Sequence, residues 1–153
     1  SGPLRERLTA LKRANCVIIN GEKNTDIEKR ILSHNKEIKI FYTKHKAQNI
    51  DEFKNKKVTG FAGIGNPVNF FNLLRDNNID ILEEINFPDH YNYSGKELEN
   101  LINKTKENNT ILLTTEKDFL RIEENYKKNI NYLKIIVEIE NRNQFIEEIK
   151  KVI

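Results

Sequence analysis

Short apolar runs alternate with amphipathic stretches along this chain, which restricts it to layered folds in which helices cover a sheet. Cys16-Val17-Ile18-Ile19, the run from Val58 towards Ile64, Ile79 to Ile85, Ile111-Leu112-Leu113 and Tyr132 to Ile139 read as strands. Ile38, Ile40 and Tyr42 alternate with polar residues, as in a half-exposed strand, and mark a candidate antiparallel edge. Elsewhere apolar residues return at helical spacing: Leu4, Leu8 and Leu11 within residues 3–14; Ile27, Ile31 and Leu32; Phe70, Phe71 and Leu74; Leu98, Leu101 and Ile102; and Phe145, Ile146, Ile149, Val152 and Ile153. Each set draws one apolar face on a helix. The expected fold is α/β, layered α/β/α, with a mostly parallel sheet and helices on both faces. The charged tract from Lys44 to Lys57 reads as a connection with a turn of helix.

Composition narrows the function classes. The 153 residues suit one domain with a real core. Lys and Arg (26) exceed Asp and Glu (23) by 3, and the two signs are interspersed. A dedicated nucleic-acid surface would cluster its bases among aromatic platforms, so no nucleic-acid partner is expected. The single cysteine, Cys16, makes no internal disulfide and lies in a strand, as core rather than nucleophile; a reducing, cytoplasmic setting follows. No apolar run approaches the roughly 18 residues of a membrane span, and nothing resembles a signal peptide.

Three strand ends carry the candidate chemistry. Gly60-Phe61-Ala62-Gly63-Ile64-Gly65-Asn66-Pro67 joins a strand to a helix, with Asn66 suited to the N-cap and Pro67 to the first helical position. Gly63 and Gly65 allow close backbone approach, and a helix N-terminus favours anions, yet this is not a dinucleotide fingerprint. Asn86-Phe87-Pro88-Asp89-His90-Tyr91-Asn92-Tyr93 follows the next strand and places an acid beside a histidine. Ser94 and Glu97 then form a capping box. Thr114-Thr115-Glu116-Lys117-Asp118 ends the third strand, with Thr115 as a cap and Glu116 and Asp118 in a first helical turn. Parallel strands would gather these loops at one sheet edge, where α/β folds bind ligands. His34 and His45 read as solvated surface.

The chain holds no Gly-x-x-x-x-Gly-Lys-[Ser/Thr] phosphate loop, no cysteine pair at metal-ligand spacing, no His-Glu-x-x-His and no Gly-x-Ser-x-Gly. For phosphoryl transfer it offers Glu6 and Asp89 as metal-directed carboxylates, Arg5 as a charge clamp and His90 as a proton-handling partner, without the phosphate cradle.

Gly2-Pro3-Leu4-Arg5-Glu6, Leu11-Lys12-Arg13-Ala14 with the strand to Asn20-Gly21, Phe61 to Pro67, Phe87-Pro88-Asp89-His90 and Leu113 to Asp118 occur in that order. Together they resemble the tetraacyldisaccharide 4′-kinases, the lipid A 4′-kinases of Gram-negative bacteria, over roughly residues 2–122. The resemblance implies transfer of the ATP γ-phosphate to the 4′-hydroxyl of a tetraacylated glucosamine disaccharide-1-phosphate, the lipid A precursor. It implies a requirement for Mg²⁺ and a peripheral location at the cytoplasmic face of the inner membrane. Carried over by position, Arg5 and Glu6 contribute to the ATP and Mg²⁺ site, with Glu6 and Asp89 as candidate Mg²⁺ carboxylates. Asp89 and His90 are the catalytic pair, the histidine working beside an aspartate from the N-terminal half. Apart from the resemblance, Gly63, Gly65, Asn66, Lys117 and Asp118 at the strand ends are candidates to line the site. Arg7 and Tyr91 depart from the proline and second histidine common in the family; Tyr91 bears on lipid or sugar contacts. The phosphate-loop domain is missing, so residues 1–21 are expected to be the tail of an N-terminal kinase domain and residues 22–153 the C-terminal α/β domain, inactive alone. Two other readings stay open: a non-catalytic α/β module binding an anionic small molecule, and a half-domain that docks another chain.

Overall fold

Strands and helices alternate through residues 6–152, which the computed structural model of the chain describes. In order they are β1 (Cys16–Asn20), α1 (Thr25–His34), β2 (Lys39–Ala47), β3 (Lys57–Ala62), α2 (Pro67–Asp76), β4 (Asp80–Asn86), α3 (Gly95–Glu107), β5 (Ile111–Thr115), α4 (Glu116–Arg121), α5 (Glu124–Lys127), β6 (Asn131–Leu133), β7 (Ile135–Ile139) and α6 (Arg142–Lys150), with short 3-10 helices at Leu8–Arg13 and Ile50–Phe53. The strands form two sheets, of order β1-β2-β7 and β4-β3-β5-β6. The pairs β1–β2, β3–β4, β3–β5 and β5–β6 are parallel. The expected α/β class with parallel pairing is found.

Four local expectations change. Only Leu8–Arg13 of the expected first helix is helical among the described residues, and it is 3-10; Arg7 and Ala14 are extended at its two ends and no side chain caps it. The strand at Ile38–Tyr42 is no antiparallel edge. It is the middle strand of its sheet and runs parallel to β1, with Phe41, Tyr42 and Thr43 buried in succession because both its faces are covered. That strand also continues to Ala47, into the tract expected to be a connection. The single strand expected from Tyr132 to Ile139 breaks at Lys134. There Asn49 takes over the backbone: its Oδ1 accepts from Lys134 N at 2.8 Å and its Nδ2 donates to Tyr132 O at 3.0 Å.

The chain divides into two compact units, Ser1–His45 with Val137–Ile153, and Lys46–Ile136. In the first, α1 starts at Asn24, whose Oδ1 accepts from the N–H groups of Asp26 and Ile27. The Tyr42 hydroxyl donates to Glu28 Oε1 at 3.0 Å, and Phe41 meets Phe145 edge to face with ring centroids 5.1 Å apart.

The second unit is a three-layer sandwich, and its strands show why. Side chains alternate between faces, so along β3 Val58 and Ala62 join the core beneath α2 (Phe70, Phe71, Leu74), while Phe61 joins the core beneath α3 (Leu98, Leu101, Ile102). Leu113 and Leu112 of β5 divide in the same way. Gly60 leaves room for α2: a Cβ there would lie 2.8 Å from Phe71 Cε1. In the register of the sheet Ala62 pairs with Asn86 and Phe61 with Thr114, so β3, β4 and β5 end at one edge.

Candidate functional site

The three loops expected to converge do so at that edge, and Gly63 joins them. Its N–H donates to Asp118 Oδ2 at 3.0 Å. Its carbonyl accepts from His90 N at 3.0 Å and from Arg121 Nη2 at 2.9 Å. One peptide segment thus holds the β4–α3 loop on one side and the start of α4 on the other. A side chain at this position would collide with the assembly, since a Cβ would lie 2.7 Å from Tyr93 Oη and 3.3 Å from Asp118 Oδ1.

Asp118 is fully buried and committed to internal contacts. Beyond Gly63, its Oδ2 accepts from Thr115 Oγ1 at 2.7 Å, while its own N–H donates to that hydroxyl at 3.1 Å, so that Thr115 caps α4. Its Oδ1 pairs with Arg121 Nη2. A carboxylate surrounded by donors in this way holds loops in place. The neighbouring Tyr93 hydroxyl and Arg121 Nε and Nη1 are buried without a hydrogen-bond partner. Burial, followed by the negative charge of Asp118, pushes the Tyr93 phenol well above its ordinary range.

Asp89 and His90 stand in solvent above this base, with side chains 47% and 68% exposed. His90 Nε2 lies 3.9 Å from Asp89 Oδ2, and Lys117 Nζ lies 3.8 Å from Asp89 Oδ1. Gly65 is close too: a Cβ there would lie 3.2 Å from Asp89 Oδ2. Asn66 is the N-cap residue of α2, with Pro67 in the first turn, but its exposed side chain makes no capping hydrogen bond. The arrangement therefore presents a carboxylate, an imidazole and an ammonium together beside a helix N-terminus. Groups of that kind bind anions and move protons.

The backbone at His90 is unusual. Its φ of 59° is left-handed, and the other described non-glycine residues with positive φ (Asn55, Asn78, Asn109 and Asn141) are all asparagine. Such strain persists only where surroundings impose it, and it gathers at functional sites. Beneath the loop, Phe87 packs on Tyr91 and Tyr93 at centroid distances of 4.9 and 5.1 Å, and Phe61 meets Tyr93 at 5.3 Å. Tyr91 donates to Glu97 Oε1 at 2.6 Å, a bond that raises the phenol; the Glu97 carboxyl is lowered first by Ser94 and then by this bond. The capping box expected at Ser94 is formed, with Glu97 closing it.

Glu6 belongs to the first unit, exposed and paired with Arg13. Arg5 lies outside the described residues. Among the described residues no group of three or more His, Cys, Asp or Glu side chains gathers to hold a metal. Arg121 escaped the sequence reading, and Tyr93 entered it only as the end of the Asn86–Tyr93 loop, with no role. The available signal was Arg121 at three residues beyond Asp118, the spacing of neighbours on a helix.

The family model for tetraacyldisaccharide-1-P 4′-kinase (LpxK) matches residues 1–153. Similar proteins include the tetraacyldisaccharide 4′-kinases of Pelagibacter ubique, 36% identical over 99% of this chain and 49% of that protein, and of Rickettsia bellii, 38% identical over 99% and 46%. The chain spans about half the length of the curated relatives it matches. A crystal structure of LpxK from Aquifex aeolicus in complex with ATP aligns with a TM-score of 0.64 at 24% identity, covering 97% of this chain and 46% of that one, a likeness of fold. The matches confirm the family drawn from the ordered segments: the chain belongs to the tetraacyldisaccharide-1-P 4′-kinases.

Proposed function

We propose that this chain carries the Asp89–His90 part of the active site of an ATP-dependent kinase. Its substrate is the 4′-hydroxyl of a tetraacylated glucosamine disaccharide-1-phosphate in lipid A biosynthesis. The observation that carries this reading is His90, in a left-handed backbone beside Asp89 and fastened to Gly63 at the carboxyl edge of a parallel sheet. The phosphate cradle is supplied from outside these 153 residues, and the chain alone is inactive.

A sugar hydroxyl is a poor nucleophile until its proton is drawn away. The His90 imidazole, free to solvent, hydrogen-bonds and polarises a carboxylate base contributed by the rest of the enzyme. Asp89 on one side of the ring biases its orientation, and Lys117 beside Asp89 moderates the local negative charge as an anionic substrate approaches. Magnesium sites of kinases use one or two carboxylates together with phosphate oxygens. Glu6 and Asp89 are exposed carboxylates, each in its own unit, and each is a candidate ligand for such an ion, which would offset charge on the transferred phosphate. Membrane association is peripheral in this reading, at the cytoplasmic face of the inner membrane; no described helix is long and apolar enough to cross a membrane.

In the full-length enzyme, His90→Ala should lower kcat by about a hundredfold or more while leaving the KM for ATP within about threefold. Unchanged turnover would remove His90 from the mechanism.

A further inference from the structure

We propose that Arg121 is a positioning residue: through the Gly63 carbonyl it fixes the backbone, and hence the imidazole direction, of His90. The inference rests on the kinase reading of His90. A single nitrogen, Arg121 Nη2, donates to both Asp118 Oδ1 and Gly63 O. The Gly63 oxygen also accepts the His90 N–H, so both its lone pairs are engaged. Meanwhile the Gly63 N–H is held by Asp118 Oδ2. The segment is gripped on its N–H side and its C=O side by one ion pair whose carboxylate is fully buried and whose arginine is partly buried, which leaves the carbonyl little freedom to turn. That carbonyl is the backbone anchor of the His90 N–H.

Two features say that the pair is there for geometry. A partly buried arginine with unmet donors is a poor stabiliser, since an apolar side chain of similar size would fill the space without desolvating a charge. Arg121 nonetheless keeps Nε and Nη1 buried without a partner. Second, the left-handed region costs a residue with a Cβ, and the His90 amide held by Gly63 offsets that cost. Asparagine occupies the other described non-glycine positions of this kind, and His90 is the one that is not asparagine.

The test is a double-mutant cycle in the full-length enzyme. Arg121→Lys keeps the charge against Asp118 but has lost the planar fork. It should lower kcat by about tenfold to a hundredfold, the scale of a small misplacement, with the KM for ATP within about twofold. In the His90→Ala background the same change should cost less than about twofold in kcat, because the group it positions is gone. Hydrogen exchange at the His90 amide should also speed up in Arg121→Lys. Unchanged kcat in the single variant, or the same fold-loss in both backgrounds, overturns the proposal. Should Arg121→Lys not fold, the cycle is run with Arg121→Gln at lower temperature and the same outcomes decide. If His90→Ala itself turns over normally, the kinase reading of His90 fails, a result distinct from independent losses in the cycle.

Discussion

Gly63 donates its backbone N–H to the carboxylate of Asp118, 55 residues away in sequence and 3.0 Å away in space. This bond ties the turn after β3 to the cap of α4. Because the carboxylate is fully buried, its loss strands several donors at once.

Asp118→Ala should therefore be strongly destabilising. Breaking one side of a fully buried ion pair costs about 3–5 kcal/mol, an upper bound here because the Arg121 side chain is partly exposed, and Arg121 would be left without its carboxylate. Urea unfolding of the chain should show the midpoint falling accordingly, with Asp118→Asn intermediate because an amide oxygen still accepts from Gly63. A midpoint unchanged by Asp118→Ala would mean that the pair is not formed.

Gly63→Ala meets Tyr93 Oη at 2.7 Å and Tyr91 Cβ at 3.2 Å. Overpacking of this kind costs about 1–3 kcal/mol. Tyr93→Phe removes a buried hydroxyl that has no partner, so alone it should be neutral or stabilising by up to about 1 kcal/mol. Combined with Gly63→Ala it should recover part of the loss. Additive effects in thermal melts of the single and double variants would show that the hydroxyl is not the obstacle.

At His90 the backbone and side-chain roles separate. Asparagine tolerates the left-handed region, so His90→Asn should hold stability within about 0.5 kcal/mol, whereas His90→Val should lose about 1–2 kcal/mol. Both should impair turnover of the full-length enzyme. If valine is tolerated as well as asparagine in chemical denaturation, the positive φ is not retained in solution.

Glu97 makes the start of α3 sensitive to acid. Hydrogen bonds from Ser94, then from Tyr91, hold its carboxyl below the ordinary value of 4.5. A depressed carboxyl contributes stability that is present above the unfolded value and is lost as pH falls through the folded one. Helical circular dichroism and stability should thus decline as pH drops below about 4.5, and the step should shrink in Glu97→Gln. An identical acid profile in that variant would assign the transition to other carboxylates.

The legible parts of this protein are the local ones. Ser94 with Glu97 and Thr115 with Asp118 announce helix starts because a cap and its partner lie within four residues, and Asn66-Pro67 announces one because proline suits the first turn, so local spacing alone carries the signal. Phe70, Phe71 and Leu74 were recognisable as core for the same reason, since helical period is a local property. The ordered segments also placed Asp89 and His90 at a strand end, and parallel alternation was enough to bring that loop beside the Gly63 and Thr115 turns. Other features depended on partners far along the chain. Alternation at Ile38–Tyr42 suggested an edge, but β2 acquires neighbours on both sides, and burial depends on neighbours. Asn49 interrupts the last strand at Lys134 from more than eighty residues away. The grip of Arg121 and Asp118 on Gly63, and through it on His90, exists only once β3, β4 and β5 lie side by side. No spacing rule reports such contacts, because their energy comes from atoms that meet after the sheet has assembled.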